Sequence, residues 1–317
     1  MTPTNDHEFE APPCAGRLDR FLADLLPDLS RAKLQTLIRS GHIRVDGDKV
    51  RPSAQLKGGE QVVVRVPPPE PSLLVAEDIP LDVLHQDDDL VVLCKPVGMV
   101  VHPAKGHRTG TLVHALLHAL PELEGHQEGE RPGIVHRLDK GTSGVLVVAR
   151  NELALRRLQA AFSVHDIHRE YLAVVHGEPR FLEGTIRSEL GRHANDRVRF
   201  ASVSEGGKSA VTHWRRLATG PSVALLSCRL ETGRTHQIRV HLSEQGHAVV
   251  GDRLYSGGNH LSAGLRHWEA KLDHQLLHAH QLGFDHPISG EHLHFTAPPP
   301  AEFLAFCQEA GLEVPGP

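Results

Sequence analysis

A run of prolines divides this chain into two parts. Four of the five residues from 67 to 71 are proline, and consecutive prolines fix φ and remove backbone hydrogen-bond donors. Residues 67–80 are therefore predicted to form a stiff, extended linker. At about 100 to 200 residues per domain, a chain of 317 residues is long enough for two domains. We predict a disordered tail at 1–15, a small domain at 16–66 and a large domain at 81–317.

The overall composition is that of an ordinary globular protein. Hydrophobic residues make up 39% of the chain, and the net charge of -5 does not suggest a protein that binds polyanions along its whole surface. The charge is uneven, however, because the small domain contains 10 basic and 6 acidic residues. Such a basic module is typical of a domain that contacts phosphates, although a solvated basic face would have the same composition.

The sequence contains no signal for export or for membrane insertion. The first 15 residues lack the basic start and the apolar stretch of a signal peptide, and no apolar run approaches the ~18 residues of a membrane span. The four cysteines include no C-x-x-C pair, which argues against zinc ribbons, redox motifs and a disulfide framework. We therefore expect a cytoplasmic protein with no membrane contact.

The small domain has the pattern of two helices and a short sheet. One helix is predicted over 31–39, with Ser30 as its cap and Gly41 as its stop signal. The Asp46-Gly47 pair between two short β patterns predicts a hairpin turn. The basic side chains that we expect to contact phosphates are Arg31, Lys33, Arg39 and Arg44.

The large domain has mostly β patterns with a few helical ones, which indicates an α+β fold. Its buried strands are predicted at 90–93, 145–148, 171–175 and 223–226. Its helices are predicted at 112–120, 153–162, 235–244 and 300–310.

Common catalytic and metal-binding signatures are absent from the sequence. Residues 206–209 lack the upstream glycine of a P-loop, and residues 141–144 miss the last glycine of the G-x-S-x-G elbow. Alternation along a strand would place two pairs of histidines each on one face, namely His278 with His280 and His292 with His294. No carboxylate or cysteine stands near them at a clear ligand spacing, so we predict no metal site.

Two blocks combine charged side chains with glycines. The first, residues 133–149, sets the carboxylate of Asp139 and two cations in a loop before a buried strand, as in a site on a rigid scaffold. An ion pair in a surface turn fits this block equally well. In the second, residues 231–242, Thr235 is predicted as an N-cap, which places Arg239 in the first turns of a helix. A solvent-facing helical arginine is the alternative for Arg239.

Five separated segments resemble the RluA family of pseudouridine synthases, specifically its ribosomal large-subunit synthase D branch. The segments are 94–103, 136–144, 169–171, 233–241 and 251–255. Their order and spacing are far more specific than any one of them. The basic small domain is similar to the S4-like, or alpha-L, RNA-binding domain, so the resemblance extends from about residue 16 to about residue 300.

The resemblance implies roles for four residues. Asp139, in His-Arg-Leu-Asp, matches the catalytic aspartate, and Arg239, in His-Gln-Ile-Arg, matches the arginine that pairs with it. Tyr171, in Arg-Glu-Tyr, is similar to the tyrosine that stacks on the target uracil. Arg137 matches the arginine that enters the space vacated by the flipped nucleotide. Gly141 stands where the family commonly has an acidic residue, a departure that touches none of these roles.

The function implied by the resemblance is the isomerisation of specific uridines to pseudouridine in large-subunit (23S) ribosomal RNA, with one aspartate acting after base flipping. Isomerisation involves no net redox change, so we expect no cofactor. The expected partner is ribosomal RNA or an assembling large subunit, and we expect a monomer. A synthase directed at transfer RNA and a non-enzymatic RNA-binding or ribosome-assembly factor are the alternatives. The implied fold has a mixed, largely antiparallel central sheet with peripheral helices.

Overall fold

The chain divides into two compact units, Met1–Leu73 and Leu74–Pro317, and the division falls inside the predicted linker. The computed structural model describes residues 5–26, 29, 31–67, 74–104, 106–125, 132–196, 198–256 and 261–316. The proline-rich centre of the predicted linker and the predicted cap Ser30 lie outside these residues.

The first unit contains a four-stranded sheet, a two-stranded sheet and two helices. The larger sheet has the order β1-β6-β3-β4. Its strands are β1 (Asn5–Glu10), β3 (Ile43–Val45), β4 (Asp48–Lys49) and β6 (Gln61–Val66). The smaller sheet pairs β2 (Gly16–Arg17) with β5 (Gln55–Leu56), and the helices are α1 (Leu18–Leu25) and α2 (Arg31–Ser40).

The prediction of a disordered tail at 1–15 is wrong for the residues of β1. This strand pairs antiparallel with β6, so that Phe9 lies opposite Val62 and His7 opposite Val64. Phe9 also packs against the hydrophobic core of the unit. A strand at the edge of a sheet needs only a partner with free backbone groups, and the short polar segment at the start of the chain has too little apolar patterning to predict one.

The predicted hairpin turn is confirmed between β3 and β4. Asp46 and Gly47 have φ values of 49° and 83°, the positive angles that a two-residue turn of this type requires, and the two strands pair antiparallel on either side of them.

Arg31, which we expect to contact phosphates, forms an ion pair within the first unit. Its Nη2 atom donates to Oδ2 of Asp19 at 2.7 Å, although its own side chain remains 45% exposed. Asp19 is fully buried and also accepts from Arg17 and Gln35. The hydrogen bonds from Arg17, then those from the other two partners, overcome burial and hold the pKa of Asp19 well below its usual range. Arg31 therefore has a structural contact that the helical pattern could not predict.

The second unit is built on a ten-stranded sheet. The main path of the sheet is β12-β11-β13-β14-β10-β15-β9-β8-β7, and β16 pairs with β15. The strands are β7 (Asp82–Gln86), β8 (Leu90–Lys95), β9 (Ser143–Ala149), β10 (His168–His176), β11 (Glu183–Arg192), β12 (Phe200–Ser202), β13 (Lys208–Gly220), β14 (Val223–Leu230), β15 (Leu277–Asp285) and β16 (His292–Thr296). The pairing is antiparallel except between β9 and β15, which confirms the expected mixed, largely antiparallel sheet.

Five α-helices of the described ranges pack around this sheet. They are α3 (Leu112–Ala119), α4 (Glu152–Ser163), α5 (Gln237–Glu244), α6 (Ala263–Lys271) and α7 (Ala301–Glu309). All four predicted helices are present, and α6 was not predicted. Within the described ranges no helix is both long and apolar enough to pass through a bilayer.

The sheet has apolar side chains on both faces, and this alternation positions the site. In β10, Leu172 and Val174 pack into one core cluster, whereas Tyr171, Ala173 and Val175 pack into another on the opposite face. Tyr171 therefore lies on the face that also carries the start of α5.

The paired histidines have structural partners. His278 bonds to Ser143 Oγ at 2.9 Å and to the carbonyl oxygen of Ala297 at 3.0 Å, and His280 bonds to the same carbonyl at 2.8 Å. His292 is exposed and pairs with Asp285. These contacts join β15 to β9, to β16 and to Ala297, which follows β16.

Candidate active site

Asp139 lies in the loop that leads into β9 and faces a cleft of about 520 Å³. A turn in which Thr142 donates its backbone N–H to the Asp139 carbonyl oxygen at 3.0 Å fixes this loop. The side chain of Asp139 is 18% exposed. The lining includes one carboxylate, that of Asp139, and four arginines, Arg137, Arg169, Arg234 and Arg239. The cleft is therefore basic in a chain whose net charge is negative.

Arg239 joins two carboxylates from opposite sides. Its Nη1 donates to Oδ2 of Asp139 at 2.9 Å, while Nε and Nη2 donate to the two oxygens of Asp252 at 2.6 and 2.9 Å. Asp252 is almost fully buried, and its contact with Arg239 is bidentate. Burial opposes the charged form of Arg239, but the bonds and charges of Asp252 and Asp139 outweigh it and raise the pKa of the guanidinium. Arg239 is thus a permanent cation that Asp252 holds in place.

This arrangement leaves one oxygen of Asp139 available. Arg239 bonds Oδ2, and Nε2 of His236 lies 3.9 Å from the same oxygen. Oδ1 has no hydrogen-bond partner in the part of the chain that the structure describes. A carboxylate oriented through one oxygen can use the other to react with a bound molecule.

The helix that carries Arg239 begins one residue later than predicted. Its N-cap is His236, in the left-handed conformation with φ 59°, and not Thr235. Gln237 fixes this start because its side chain accepts from Thr232 Oγ1 at 2.8 Å and donates to the Val211 carbonyl oxygen at 3.0 Å. Tertiary hydrogen bonds, and not a threonine cap, therefore set the start of α5.

His236 is held against Asp139 by a hydrogen-bonded chain. The backbone N–H of Phe200 donates to the hydroxyl of Tyr255 at 2.8 Å, and this hydroxyl lies 2.8 Å from Nδ1 of His236. Burial lowers the pKa of His236, against the opposing charge of Asp139. A neutral imidazole whose Nδ1 accepts from Tyr255 carries its proton on Nε2, the atom nearest to Asp139.

Tyr171 lines the same cleft from β10. It is 8% exposed, and burial raises the pKa of its hydroxyl. Both tyrosines of the chain lie in the described part, and Tyr255 is occupied by the contacts to Phe200 and His236. Tyr171 is therefore the tyrosine whose ring borders the space in front of Asp139.

Comparison with known proteins identifies the family. The profile described as RNA pseudouridylate synthase matches residues 89–244, and the S4 domain profile matches residues 16–62. A Zymomonas mobilis protein named ribosomal large subunit pseudouridine synthase D is 45% identical over 290 residues, which cover 90% of this chain and 91% of the relative. The chain belongs to the RNA pseudouridine synthase family.

Further relatives of this synthase agree with the assignment. An uncharacterized RNA pseudouridine synthase of Bacillus subtilis is 42% identical over 286 residues, covering 90% of this chain and 91% of the relative. The solved structure of human RNA pseudouridylate synthase domain containing 4 superposes with a TM-score of 0.60 at 27% identity, covering 74% of this chain and 95% of that one. The expected family, enzyme class and S4 domain are confirmed.

The other predicted site residues of the synthase lie in two places. Arg137 is exposed and lines the cleft two residues before Asp139. Arg31, Lys33, Arg39 and Arg44 belong to the first unit. Arg39 contacts Gln35 and Arg44 contacts the Gly47 carbonyl oxygen, and both side chains remain exposed. Their roles stay predictions.

Four residues in or near the synthase site escaped prediction from the sequence, namely His236, Asp252, Arg169 and Lys95. Asp252 and Arg169 lie in the segments that carried the family resemblance, but nothing in their local pattern indicates a contact with the cleft or with Arg239. Lys95 is fully buried, and its Nζ donates to the carbonyl oxygens of Pro96 at 2.7 Å and Met99 at 2.9 Å. Burial lowers the pKa of Lys95 to about 7, although the charge of Asp139 opposes the shift.

One group of described side chains has the spacing of metal ligands, namely Asp87, Asp89 and His286. Nδ1 of His286 accepts from the backbone N–H groups of Ile288 and Ser289 at 3.2 and 3.0 Å. A neutral His286 therefore carries its proton on Nε2, which lies 3.2 Å from Asp87 Oδ2. A hydrogen bond within the protein accounts for this group, which is not part of the cleft lining.

Proposed function

We propose that this synthase converts uridines of large-subunit ribosomal RNA to pseudouridine, with Asp139 as its catalytic group. The observation that best supports the proposal is the position of the Asp139 carboxylate. Arg239 binds its Oδ2 atom at 2.9 Å, and its Oδ1 atom is free to react in the cleft that Tyr171 also lines. The name of the Zymomonas relative, which specifies the large ribosomal subunit, supports the choice of RNA.

The chemistry needs one carboxylate and no outside reactant. The N1–C1′ bond of the nucleotide breaks, the uracil turns, and a C5–C1′ bond forms. The proton lost from C5 is balanced by the proton gained at N1. Asp139 acts on the sugar or on the base as nucleophile or base. A glycoside hydrolase would need a second carboxylate within about 5 to 9.5 Å, whereas Asp252 is engaged by Arg239 through both of its oxygens.

The target base must leave its stack before Asp139 can reach it, at a cost of a few kcal/mol. Stacking on the ring of Tyr171 offsets part of this cost, by about 1 to 3 kcal/mol per base. Arg137 fills the gap left in the RNA, a role supported by its exposed position in the cleft lining two residues before Asp139.

The basic side chains of the first unit supply affinity that does not depend on sequence, by binding phosphates. These side chains include Lys33, Arg39 and Arg44. Arg31 also binds phosphate, because its side chain is 45% exposed beside Asp19. The enzyme acts as a monomer in the cytoplasm, on ribosomal RNA or an assembling large subunit. Light scattering of the purified protein tests the monomer.

The test is pseudouridine mapping in cells that lack this protein, complemented by the wild type, by Asp139→Asn or by Asp78→Asn. Asp78 is a matched control because its side chain is 88% exposed and, within the described part of the chain, pairs only with an exposed histidine. We expect specific large-subunit sites to disappear and to return with the wild type and Asp78→Asn, but not with Asp139→Asn. If pseudouridines disappear from transfer RNA instead, the substrate is transfer RNA and not ribosomal RNA. If Asp139→Asn restores the sites, Asp139 is not the catalytic group.

A further inference from the structure

Arg169 is a buried cation in the cleft lining for which the reaction described above has no use. It lies on β10 two residues before Tyr171 and is 6% exposed. Its Nη2 donates to the carbonyl oxygen of Glu231 at 2.8 Å. Its Nε is buried and has no hydrogen-bond partner among the described residues. Within the same residues, no carboxylate lies within ion-pair distance of its guanidinium.

A buried guanidinium without a counter-charge is costly to the folded protein. The ring of Phe162 lies 5.4 Å from the guanidinium carbon and compensates only part of this cost. Burial lowers the pKa of Arg169, the neighbouring Tyr171 opposes this shift, and the charge of Arg234 adds to it. The charge of Arg169 is therefore only partly compensated among the described residues, which suits a group that receives an anion from outside.

The chain also leaves room for this guanidinium. A Cβ atom at Gly233 would lie 2.8 Å from Nη1 of Arg169, so the absence of a side chain there permits the observed position. Gly233 has no positive φ, and its backbone conformation does not itself require glycine. Space for Arg169 is the physical reason that we find for a glycine at this position.

Phosphate is the anion that this site fits. A planar guanidinium binds phosphate through paired N–H groups, and the cleft of about 520 Å³ is larger than one uracil requires. Arg137 and Arg234 line the same cleft. We propose that Arg169 forms a phosphate subsite, which binds a phosphodiester linkage of the RNA strand next to the target nucleotide. This inference rests on the proposed function, because it takes RNA as the molecule that enters the cleft.

The subsite is tested by removing the positive charge of Arg169 or the negative charge of the RNA phosphate. Binding of a substrate RNA is measured with two proteins, Asp139→Asn alone and Asp139→Asn combined with Arg169→Met, and each linkage flanking the target is replaced in turn by an uncharged methylphosphonate. Arg180→Met is the control, since Arg180 also lies over a phenylalanine ring, at 5.8 Å, but is exposed and outside the cleft lining.

We expect Arg169→Met to weaken binding about tenfold or more, as for a lost charge-assisted hydrogen bond, and Arg180→Met to leave it within about twofold. RNA with a methylphosphonate at one of the flanking linkages should bind the protein that retains Arg169 more weakly than natural RNA does, by a similar factor. The same RNA should bind the Arg169→Met protein as well as natural RNA does. The proposal is overturned if the variant retains the full methylphosphonate penalty, or if no flanking linkage matters to the protein that retains Arg169. The second result needs no Arg169 variant and stands even if Arg169→Met fails to fold.

Thermal unfolding separates this role from a structural one. Because Arg169→Met removes an uncompensated buried charge, we expect its melting temperature to equal or exceed that of the wild type. A fall of more than about 5 °C would instead assign Arg169 to folding and would contradict the subsite.

Failure of the proposed function is recognisable separately. If the wild type forms no pseudouridine in any cellular RNA, the proposed function fails, and the subsite is then tested with a uridine trinucleotide. We expect the Nε–H nuclear magnetic resonance signal of Arg169, assigned by its loss in Arg169→Met, to shift with the natural trinucleotide and not with its methylphosphonate analogue. Equal shifts, or no shift at saturation, would overturn the subsite.

Discussion

The shared arginine of the site predicts that two carboxylates are energetically coupled. Asp252 makes two hydrogen bonds to Arg239 and is 1% exposed, whereas Asp139 makes one and is 18% exposed. Breaking a buried ion pair by removing one partner costs about 3 to 5 kcal/mol, and we expect Asp252→Asn to cost about 3 kcal/mol because Asp139 still neutralises part of the charge. Asp139→Asn alone should cost no more than about 1 kcal/mol, since that carboxylate is partly solvated.

The double variant tests the coupling. With both carboxylates removed, the guanidinium of Arg239 is buried without a counter-charge, so the double variant should lose at least about 1 kcal/mol more than the sum of the single variants. Urea unfolding followed by tryptophan fluorescence measures these differences in the second unit, because Trp214 and Trp268 both lie there.

The control and the kinetics complete this test. Asp273→Asn is the matched control, since the side chain of Asp273 is 86% exposed, and it should change the free energy of unfolding by less than about 0.5 kcal/mol. The single-turnover rate of Asp252→Asn should fall about tenfold or more, because Arg239 no longer holds Asp139 in position. Additivity of the two substitutions within about 0.5 kcal/mol would refute the shared-cation account.

Substitutions in three further places give distinct signatures. Tyr171→Phe should retain most of the affinity for substrate RNA and Tyr171→Ala should lose about 1 to 3 kcal/mol of it in a binding titration; equal losses would contradict stacking. Replacing Lys33, Arg39 and Arg44 by glutamine should weaken RNA binding and leave turnover at saturating RNA unchanged. The slope of the logarithm of the binding constant against the logarithm of salt concentration should become shallower by up to about 0.7 to 0.9 for each lost phosphate contact. Because burial lowers the pKa of Lys95 to about 7, below its value in the unfolded chain, the free energy of unfolding should rise by up to about 1.4 kcal/mol per unit as pH increases above 7. Lys95→Met should abolish this rise, and an unchanged slope would assign the dependence to another group.

Those parts of the fold that rest on local patterning could be predicted from the sequence. The strands β8 and β9 are continuous apolar runs, which a strand buried on both faces requires, and the Asp46-Gly47 turn has the residues that positive φ angles favour. Helix α4 has its cap in Asn151, whose side chain accepts from Ala154 at 2.9 Å. In each case the residues that cause the structure are neighbours in the chain.

What could not be predicted depends on contacts between distant segments. The start of α5 differs from the expected one because Gln237 bonds to β13, about 25 residues away, and His236 takes the left-handed conformation that this anchor needs. Asp252 has no local feature that indicates its bond to Arg239. The ion pair of Arg31 with buried Asp19 likewise depends on the packing of α2 against α1, which helical periodicity does not describe.

The sequence separations within the site govern when activity can arise during synthesis. Asp139 and Arg239 are 100 residues apart. Ser143 and His278, whose contact joins β9 to β15, are 135 residues apart. Contacts of such range form only after long loops have closed, and a chain emerging from the ribosome completes its earlier units first. The S4 unit is therefore finished while the carboxylate of Asp139 still lacks its arginine. The newborn protein acquires the ability to hold RNA before the ability to change it.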